Sequence, residues 1–525
     1  MSAPNGLHIL SRLELAAERW PATPAVVDAN GRVMSRAAFA DHVRAITSGL
    51  RRAGMQPGHR VLFAVRPSAD AVALIAALVD IGAVVVAAQV GVGDQLFASQ
   101  MRLVQPDWVI GESLLLAAMR SRVVRRLLRA MGSLLPGMAE LGEPRMISVG
   151  RRLPGLGATP LSEIIAGGGG HDHSALGETT DTFDAESPCF IVFTSGTTAE
   201  PKAVVHSRRS ISATLDIVEQ KLEIGPGDVL LARDAHLILP ALLAGATAVM
   251  PASGRFSASR TVATMRRWRV THLFEVTAHC RMLATSAHAR GGRLPAPLKQ
   301  LLVGAAPVRT AFLRDIQTVL PPGATAWCTY GMTEMLPVAF VSLEEKLAYE
   351  GDGDIVGAPV HGVTATIAAS GELIVRGPNL FSGYLGRPPQ HEHATGDLAR
   401  LDAGRIVLLG RAKDMIIRRE VNIYPELHEP VIERIPGVRR CAMVGVYVDD
   451  VEDERVVLAV EAEEGVAEEP FLRDLRRRLQ HGDCRIDEAA FPDLIFLAPL
   501  PESGRSRKVD KKLVREMALA RLACA

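Results

Sequence analysis

Four hydroxyl side chains, one glycine and one lysine fall within the nine residues Thr194, Ser195, Gly196, Thr197, Thr198 to Lys202, directly behind the apolar run Ile191–Phe193. Backbone N–H groups and hydroxyls can donate to the oxygens of a polyphosphate, glycine permits close approach, and an ammonium neutralises charge. The segment is not the nucleotide loop G-x-x-x-x-G-K-[ST], because no glycine stands directly before Lys202 and Ala203 follows it. Taken alone, a hydroxyl-rich turn after a strand accounts for it. Further groups capable of chemistry stand far along the chain: Tyr330, Thr333 and Glu334, then Asp397, Arg411 and Lys413, then Lys508, Lys511 and Lys512. His171 and His173 form a pair with metal-ligand spacing, but one pair on a glycine-rich loop supplies too few ligands for a structural zinc site.

These residues need a scaffold, and the early sequence describes one. Ser35 can cap a helix whose apolar positions Phe39, Val43, Ile46 and Leu50 form one stripe. Gly54 ends it and Pro57-Gly58 turns the chain. Val61–Val65 reads as a buried strand, Ala71–Ile81 as a helix and Ala83–Ala88 as a second buried strand, a βαβ unit. Similar apolar runs recur near Val192, at Ala246–Met250 and at Leu301–Val303. Leu114–Met131 carries five arginines among leucines and valines, a basic amphipathic helix that suits either peripheral lipid contact or a solvated face. Ala166–Gly177, with four consecutive glycines, reads as a mobile connector. Beyond residue 410 the chain becomes richer in charge, with helices at Glu426–Ile435 and Glu468–Gln480 and β-branched runs at Ala442–Val448 and Val456–Val460.

The chain has 525 residues, 48% of them apolar and 22% charged, with mean hydropathy +0.16, as expected for a globular protein of several domains. Fifty-nine basic against fifty-eight acidic residues give a net charge of +1, so no global field would recruit nucleic acid. Six scattered cysteines without zinc spacing favour free thiols in a reducing compartment. Arg12 and Glu14 follow a short apolar stretch, so no secretory signal core is read there, and no uncharged run reaches the roughly 20 residues of a spanning helix. A soluble, cytoplasmic protein with no transmembrane segment is the expectation; nothing in the sequence specifies an oligomeric state.

The motifs acquire meaning together. Thr194–Lys202 resembles the signature loop of the adenylate-forming superfamily of acyl-CoA synthetases, luciferases and peptide-synthetase adenylation domains. In order there follow Gly304-Ala305-Ala306-Pro307, similar to the adenine-pocket segment, and Tyr330-Gly331-Met332-Thr333-Glu334, similar to Y-G-x-T-E. Thr395-Gly396-Asp397 resembles T-G-D, Gly410–Asp414 the hinge segment, and Asn422–Pro425 the motif after it. Lys508-Val509-Asp510, within Pro501–Leu513, resembles the C-terminal catalytic-lysine motif.

The resemblance implies an α/β fold: a large N-terminal domain (1–411) with mostly parallel sheets and flanking helices, a hinge at 412–413 centred on Lys413, and a small mobile α+β domain (414–525). It implies ATP and Mg²⁺. Thr194, Ser195, Gly196, Thr197, Thr198 and Lys202 would handle the β- and γ-phosphates, and Gly304, Ala305, Ala306, Tyr330 and Gly331 the adenine. Thr333 would contact the α-phosphate, Glu334 would ligate Mg²⁺, Asp397 would accept the ribose hydroxyls with Arg411 nearby, and Lys508 would approach the carboxylate and α-phosphate. Phe274, Val276, His279, Trp327 and Leu336 would line the acid pocket.

Four departures bear on function. Alanines at 199 and 203 replace the usual loop glycines, and Arg507 precedes Lys508 where glycine is usual, so Lys511 and Lys512 stand as substitutes. Arg418-Arg419-Glu420-Val421 occupies the place of a glycine pair that lines the pantetheine tunnel of acyl-CoA synthetases. The segments Thr329–Ala339, Gly304–Val308 and Gly357–Val360 are similar to the OleC-type β-lactone synthetases, which adenylate a β-hydroxy acid and close the ring with its own hydroxyl. The reading is therefore an AMP-forming ligase for a fatty, aryl or hydroxy acid whose second step is β-lactone closure rather than CoA transfer. The alternatives are an acid–CoA ligase, a diazotase-type enzyme activating nitrite, and a nucleotide-binding homologue without catalysis.

Overall fold

The computed structural model describes residues 7–87, 94–130, 135–168, 184–194, 201–252, 254, 256–304, 308, 310–418, 421–448, 453–481, 484–486, 490–503 and 508–522. Among the described residues two sheets dominate. One has eight strands, paired in parallel except for an antiparallel edge formed by Lys202–Ser207 and Gly383–Tyr384. The other has thirteen and is mixed. Its strands Val229–Leu231, His272–Val276, Gln300–Gly304 and Thr325–Met332 run parallel. From Thr325–Met332 onward, Met335–Ser342, Asp354–Pro359, Arg405–Arg411 and His393–Asp402 pair antiparallel. The change occurs where Thr333 and Glu334 alone join two strands, too few residues for the crossover that parallel pairing requires.

Four helices lie between the sheets: Arg36–Arg52, Ala69–Ile81, Arg208–Leu222 and Ala235–Leu243. One buried cluster joins Val61, Val85 and Ile110 of the first sheet to Leu230, Ala248 and Leu302 of the second through Ile46, Leu50, Leu74, Leu78, Leu215 and Leu242. Ser35 caps the first helix by accepting from the Ala38 amide, and its apolar stripe Phe39, Val43, Ile46 and Leu50 is buried, as the spacing predicts.

After Arg411 a short 3₁₀ turn (Ala412–Asp414) leads to a three-stranded sheet of Val438–Val448, Asp453–Ala462 and Leu494–Leu497. Helices Pro425–Ile432, Glu468–His481 and Lys511–Leu522 accompany it, and its apolar residues form clusters separate from those of the large sheets. The fold is thus a large α/β domain with a small α+β domain.

The structure corrects one element. Leu114–Met131 is not a single helix: Ser113–Arg120 and Arg122–Ala130 are separated at Ser121, whose backbone is extended and whose hydroxyl accepts from the Val124 amide. A serine that bonds its own downstream amide starts a helix in preference to continuing one. The glycine-rich segment beyond residue 168, and Arg419-Glu420, lie outside the described residues.

Candidate functional site

The strand Pro188–Thr194 turns back as Lys202–Ser207, with Thr194 opposite Lys202. Ser195, Gly196, Thr197 and Thr198 lie outside the described residues, but the strand pairing holds the two ends of their loop together. Lys202 is exposed, with its Nζ 5.3 Å from the centroid of the Tyr384 ring. Tyr384 reaches it because Gly383–Tyr384 pairs antiparallel with Val204–Val205. The Tyr384 hydroxyl donates to Glu334 Oε1 at 2.8 Å. Burial and this carboxylate raise the Tyr384 pKa, so the phenol keeps its proton.

Thr333 and Glu334 form the two-residue tip of the hairpin between Met332 and Met335. The Thr333 carbonyl accepts from His206 Nε2 at 2.8 Å, while His206 Nδ1 lies 3.3 Å from Ser210 Oγ. Burial lowers the His206 pKa, so the imidazole is a neutral strut that donates to one side and accepts on the other. Among the described residues no group of three or more His, Cys, Asp or Glu side chains could cage a metal. A single carboxylate beside phosphate oxygens does fit Mg²⁺, which is commonly held by one or two carboxylates and substrate phosphates. Glu334, with Oε1 braced by Tyr384, is the residue that would hold it.

Asp397 lies one strand pair further. It faces Arg411 across an antiparallel register. Gly396 has φ +73°, where a side chain would be strained, and its amide donates to Glu372 Oε1 at 2.8 Å. The Asp397 amide donates to Thr395 Oγ1, which itself donates to the Leu373 carbonyl. This irregular stretch of the strand directs a carboxylate only 5% exposed between Arg411 Nε, at 2.7 Å, and the Tyr330 hydroxyl, at 2.6 Å. Burial raises the Asp397 pKa against the opposing pull of Arg411, the Tyr330 bond and the Lys508 charge. Burial, followed by Asp397, raises Tyr330 as well, so its hydroxyl stays a donor.

The three C-terminal lysines separate cleanly. Lys508 lies in a short strand paired with Glu502–Ser503, open to solvent yet within the field of Asp397, Arg411 and Glu426. Partial desolvation by the surrounding protein and then Arg411 lower its pKa, while Asp397 and Glu426 support its charge. Lys511 is instead paired with Glu429 at 2.8 Å, the two side chains 14% and 6% exposed. Burial opposes its charge, but Glu429 more than compensates and its pKa is raised. Lys512 is exposed. Lys413 is also exposed, and Arg515 both donates to its carbonyl and pairs with Asp414 at 3.2 Å.

Of the acid-pocket candidates, Phe274 and Trp327 flank Leu302 in register on neighbouring strands, and Val276 lies opposite Gly304. A Cβ on Gly304 would sit 2.4 Å from Thr329 Cγ2, and one on Gly331 would sit 2.7 Å from Leu336 Cδ1. Both glycines therefore permit close approach at this edge. Ala305 and Ala306 lie outside the described residues. The structure separates His279 from the other candidates. Strand alternation points Glu275 to the opposite face from Phe274 and Val276, and His279 follows it, with Nδ1 2.6 Å from Glu275 Oε2 and its ring stacked on Phe256. Arg233 completes that cluster at 3.2 Å from Glu275.

Tyr384, His206 and Glu372 were not legible as site residues. No spacing links position 384 to 202 or 334; only the edge-strand pairing does.

The sequence pattern of the family described as AMP-binding enzyme matches residues 13–385. The chain belongs to this family. It is an adenylate-forming ligase, and the order of its motifs agrees with that membership. An olefin β-lactone synthetase from Stenotrophomonas maltophilia is 29% identical over 91% of this chain and 90% of its own length. A feruloyl-CoA synthase from an Amycolatopsis species is 30% identical over 49% of this chain and 56% of its own length. An o-succinylbenzoate coenzyme A synthetase from Bacillus subtilis, solved with ATP and magnesium ion, shares the fold at TM-score 0.72 and 18% identity. That match covers 95% of this chain and 98% of the other. Among the described residues no helix of this ligase is long and apolar enough to cross a membrane.

Proposed function

We propose that this ligase uses ATP and Mg²⁺ to convert a carboxylic acid to its acyl-adenylate, and that the acyl group then closes onto its own β-hydroxyl. In the first step a carboxylate oxygen attacks the α-phosphorus and the bond to the β-phosphate oxygen breaks, releasing pyrophosphate. Two anions must meet, so the chain's part is to neutralise charge and hold the approach in line. Lys202 and the hydroxyl loop would take the outer phosphates, Thr333 the α-phosphate, and Asp397 the ribose hydroxyls, with Tyr330 against the adenine. Mg²⁺, held by Glu334, would supply charge neutralisation on the phosphate oxygens. Lys508 would contribute a cation where the attacking carboxylate and α-phosphate oxygens crowd. The observation that carries this reading is convergence: residues 330, 397, 411 and 508, from three distant stretches, share one electrostatic site.

In the second step the hydroxyl oxygen bonds the acyl carbon, AMP departs, and the hydroxyl proton leaves to a base. The similarity over most of the chain to an olefin β-lactone synthetase supports this acceptor. An acid–CoA ligase is the second reading, favoured by the similarity to a feruloyl-CoA synthase. Residues 412–413 would act as a hinge between 1–411 and 414–525, in the manner of chain segments that absorb large φ/ψ changes. A peripheral lipid contact through Leu114–Met131 is supported by the exposure of Leu114, Val123 and Leu127 beside Arg122 and Arg126.

Pyrophosphate release against fatty, aryl and β-hydroxy acids and nitrite, with and without CoA and with mass detection of products, tests the proposal. A product lighter than the hydroxy acid by one water, without CoA, is the expected result. A CoA thioester formed rapidly replaces ring closure with the ligase reading, and release with nitrite alone overturns both.

A further inference from the structure

The helix Arg208–Leu222 runs away from the phosphate end of the site along the hairpin Thr325–Met332/Met335–Ser342, and three side chains record its descent. His206, just before the helix, bonds the Thr333 carbonyl at the hairpin tip. Thr214 Oγ1 donates to the Leu336 carbonyl at 3.1 Å. Lys221, two helical turns further, places its ammonium over the Trp327 ring, 2.7 Å from the centroid, and 5.5 Å from that of Phe340. Trp327 and Phe340 share the sheet face that carries Phe274 and Leu302, since Trp327 pairs with Leu302 and Thr329 with Phe340.

Lys221 is half-buried, and among the described residues no carboxylate lies within ion-pair distance of it. Burial lowers its pKa to about 8, with Glu223 and Glu345 opposing from further away. Glu345 itself pairs with Arg405 at 3.5 Å. The ring faces of Trp327 and Phe340 offset part of the cost of dehydrating this cation, and a ligand carboxylate would add the close counter-ion that it lacks among the described residues. The depth agrees on both elements: three strand residues from Tyr330 to Trp327, and seven helical residues from Thr214 to Lys221, each span about 10 Å.

We infer that Lys221 closes the far end of the acid pocket and that the preferred substrate carries a second carboxylate at the Trp327 end, about 10 Å along the strand from the level of Tyr330. This rests on the adenylation reading and narrows it from acids in general to acids with an anionic tail. Trp327 and Phe340 flank that tail, so an apolar chain or an aryl ring joins the two carboxylates.

The test uses the full chain with ATP and Mg²⁺ and measures pyrophosphate release. Straight-chain monocarboxylic acids are compared with ω-carboxy acids of the same length, across a range of lengths. The wild type is expected to favour the ω-carboxy acid at least tenfold in kcat/KM, with an optimum at one length. Lys221→Met should reduce that ratio at least tenfold through KM, and Lys221→Arg should restore part of it. A wild type that favours the plain acid at every length overturns the inference without any variant, and so does a Lys221→Met protein that melts like the wild type and keeps the ratio within twofold of the wild-type value. Release with no acid in the panel removes the adenylation reading itself, whereas release with plain acids alone removes only the role of Lys221.

Discussion

The assignment of one lysine among three gives the sharpest test. Lys508→Ala removes the cation that stands within the field of Asp397 and Arg411. A donor aimed at developing charge is worth about 10²–10³ in kcat, or roughly 2.7–4 kcal/mol. ATP binding should change little, because Asp397 and Glu426 already balance the ground-state charge of Lys508. Lys511→Met acts elsewhere. It leaves Glu429, whose side chain is 6% exposed, with no cation while still accepting the Met443 amide at 2.8 Å. Breaking a buried pair from one side costs roughly 3–5 kcal/mol, which lowers the melting temperature of a domain this small by about 10 °C or more. Steady-state pyrophosphate release, calorimetry with Mg-ATP and thermal melts separate the two. The expected pattern is slow turnover at an unchanged melting point for Lys508→Ala, and early melting for Lys511→Met. Turnover of Lys508→Ala within fivefold of wild type, or loss of turnover in Lys511→Met at an unshifted melting point, refutes the reasoning.

Asp397→Asn should weaken ATP binding roughly 10–100-fold, since bonds to an ionised acceptor are each worth about 1.5–3 kcal/mol; an equal rise in KM for the acid would count against a ribose role. The pH profile of kcat/KM for ATP should be narrow on both sides. Asp397, raised by burial, gains its proton above the ordinary aspartate range as pH falls, and Lys508, lowered by burial, loses its charge below the ordinary lysine range as pH rises. The alkaline limb should disappear in Lys508→Ala. Native Asp397 holds its proton more tightly than the unfolded chain does, so its contribution to stability falls as pH rises from the ordinary aspartate range through the raised native value, a trend that denaturant melts of Asp397→Asn should lack. Gly304→Ala would press a methyl against Thr329 Cγ2 at 2.4 Å, an overpacking cost of about 1–3 kcal/mol, and Thr329→Ser in the same chain should recover most of the lost melting temperature.

The helix 36–52, with its serine cap and four-residue stripe, was legible because capping and amphipathic burial are local consequences of side-chain spacing. Thr395-Gly396-Asp397 was legible only through its resemblance to a family motif; the structure shows its local basis, glycine at φ +73° and a threonine hydroxyl under the Asp397 amide within one strand. The break at Ser121 was missed because arginine and leucine continue the helical pattern on both sides, and one hydroxyl decides the matter. His279 looked like a neighbour of Phe274 in a linear reading. Alternation along His272–Val276 sends Glu275 to the other face, and a carboxylate 2.6 Å away draws the imidazole with it.

By itself, then, the order of residues determined which chemical groups this ligase possesses and the local turns that present them, since caps, left-handed glycines and strand-to-loop transitions involve only near neighbours. Which groups meet was decided by tertiary structure. Lys202, Tyr384 and Glu334 converge through strand pairings across 182 and 50 residues, Asp397 gains Tyr330 and Arg411 by register, and Lys508 enters their field from the small domain. Such long-range proximity depends on how buried faces pack, a property of the whole chain that no short segment carries.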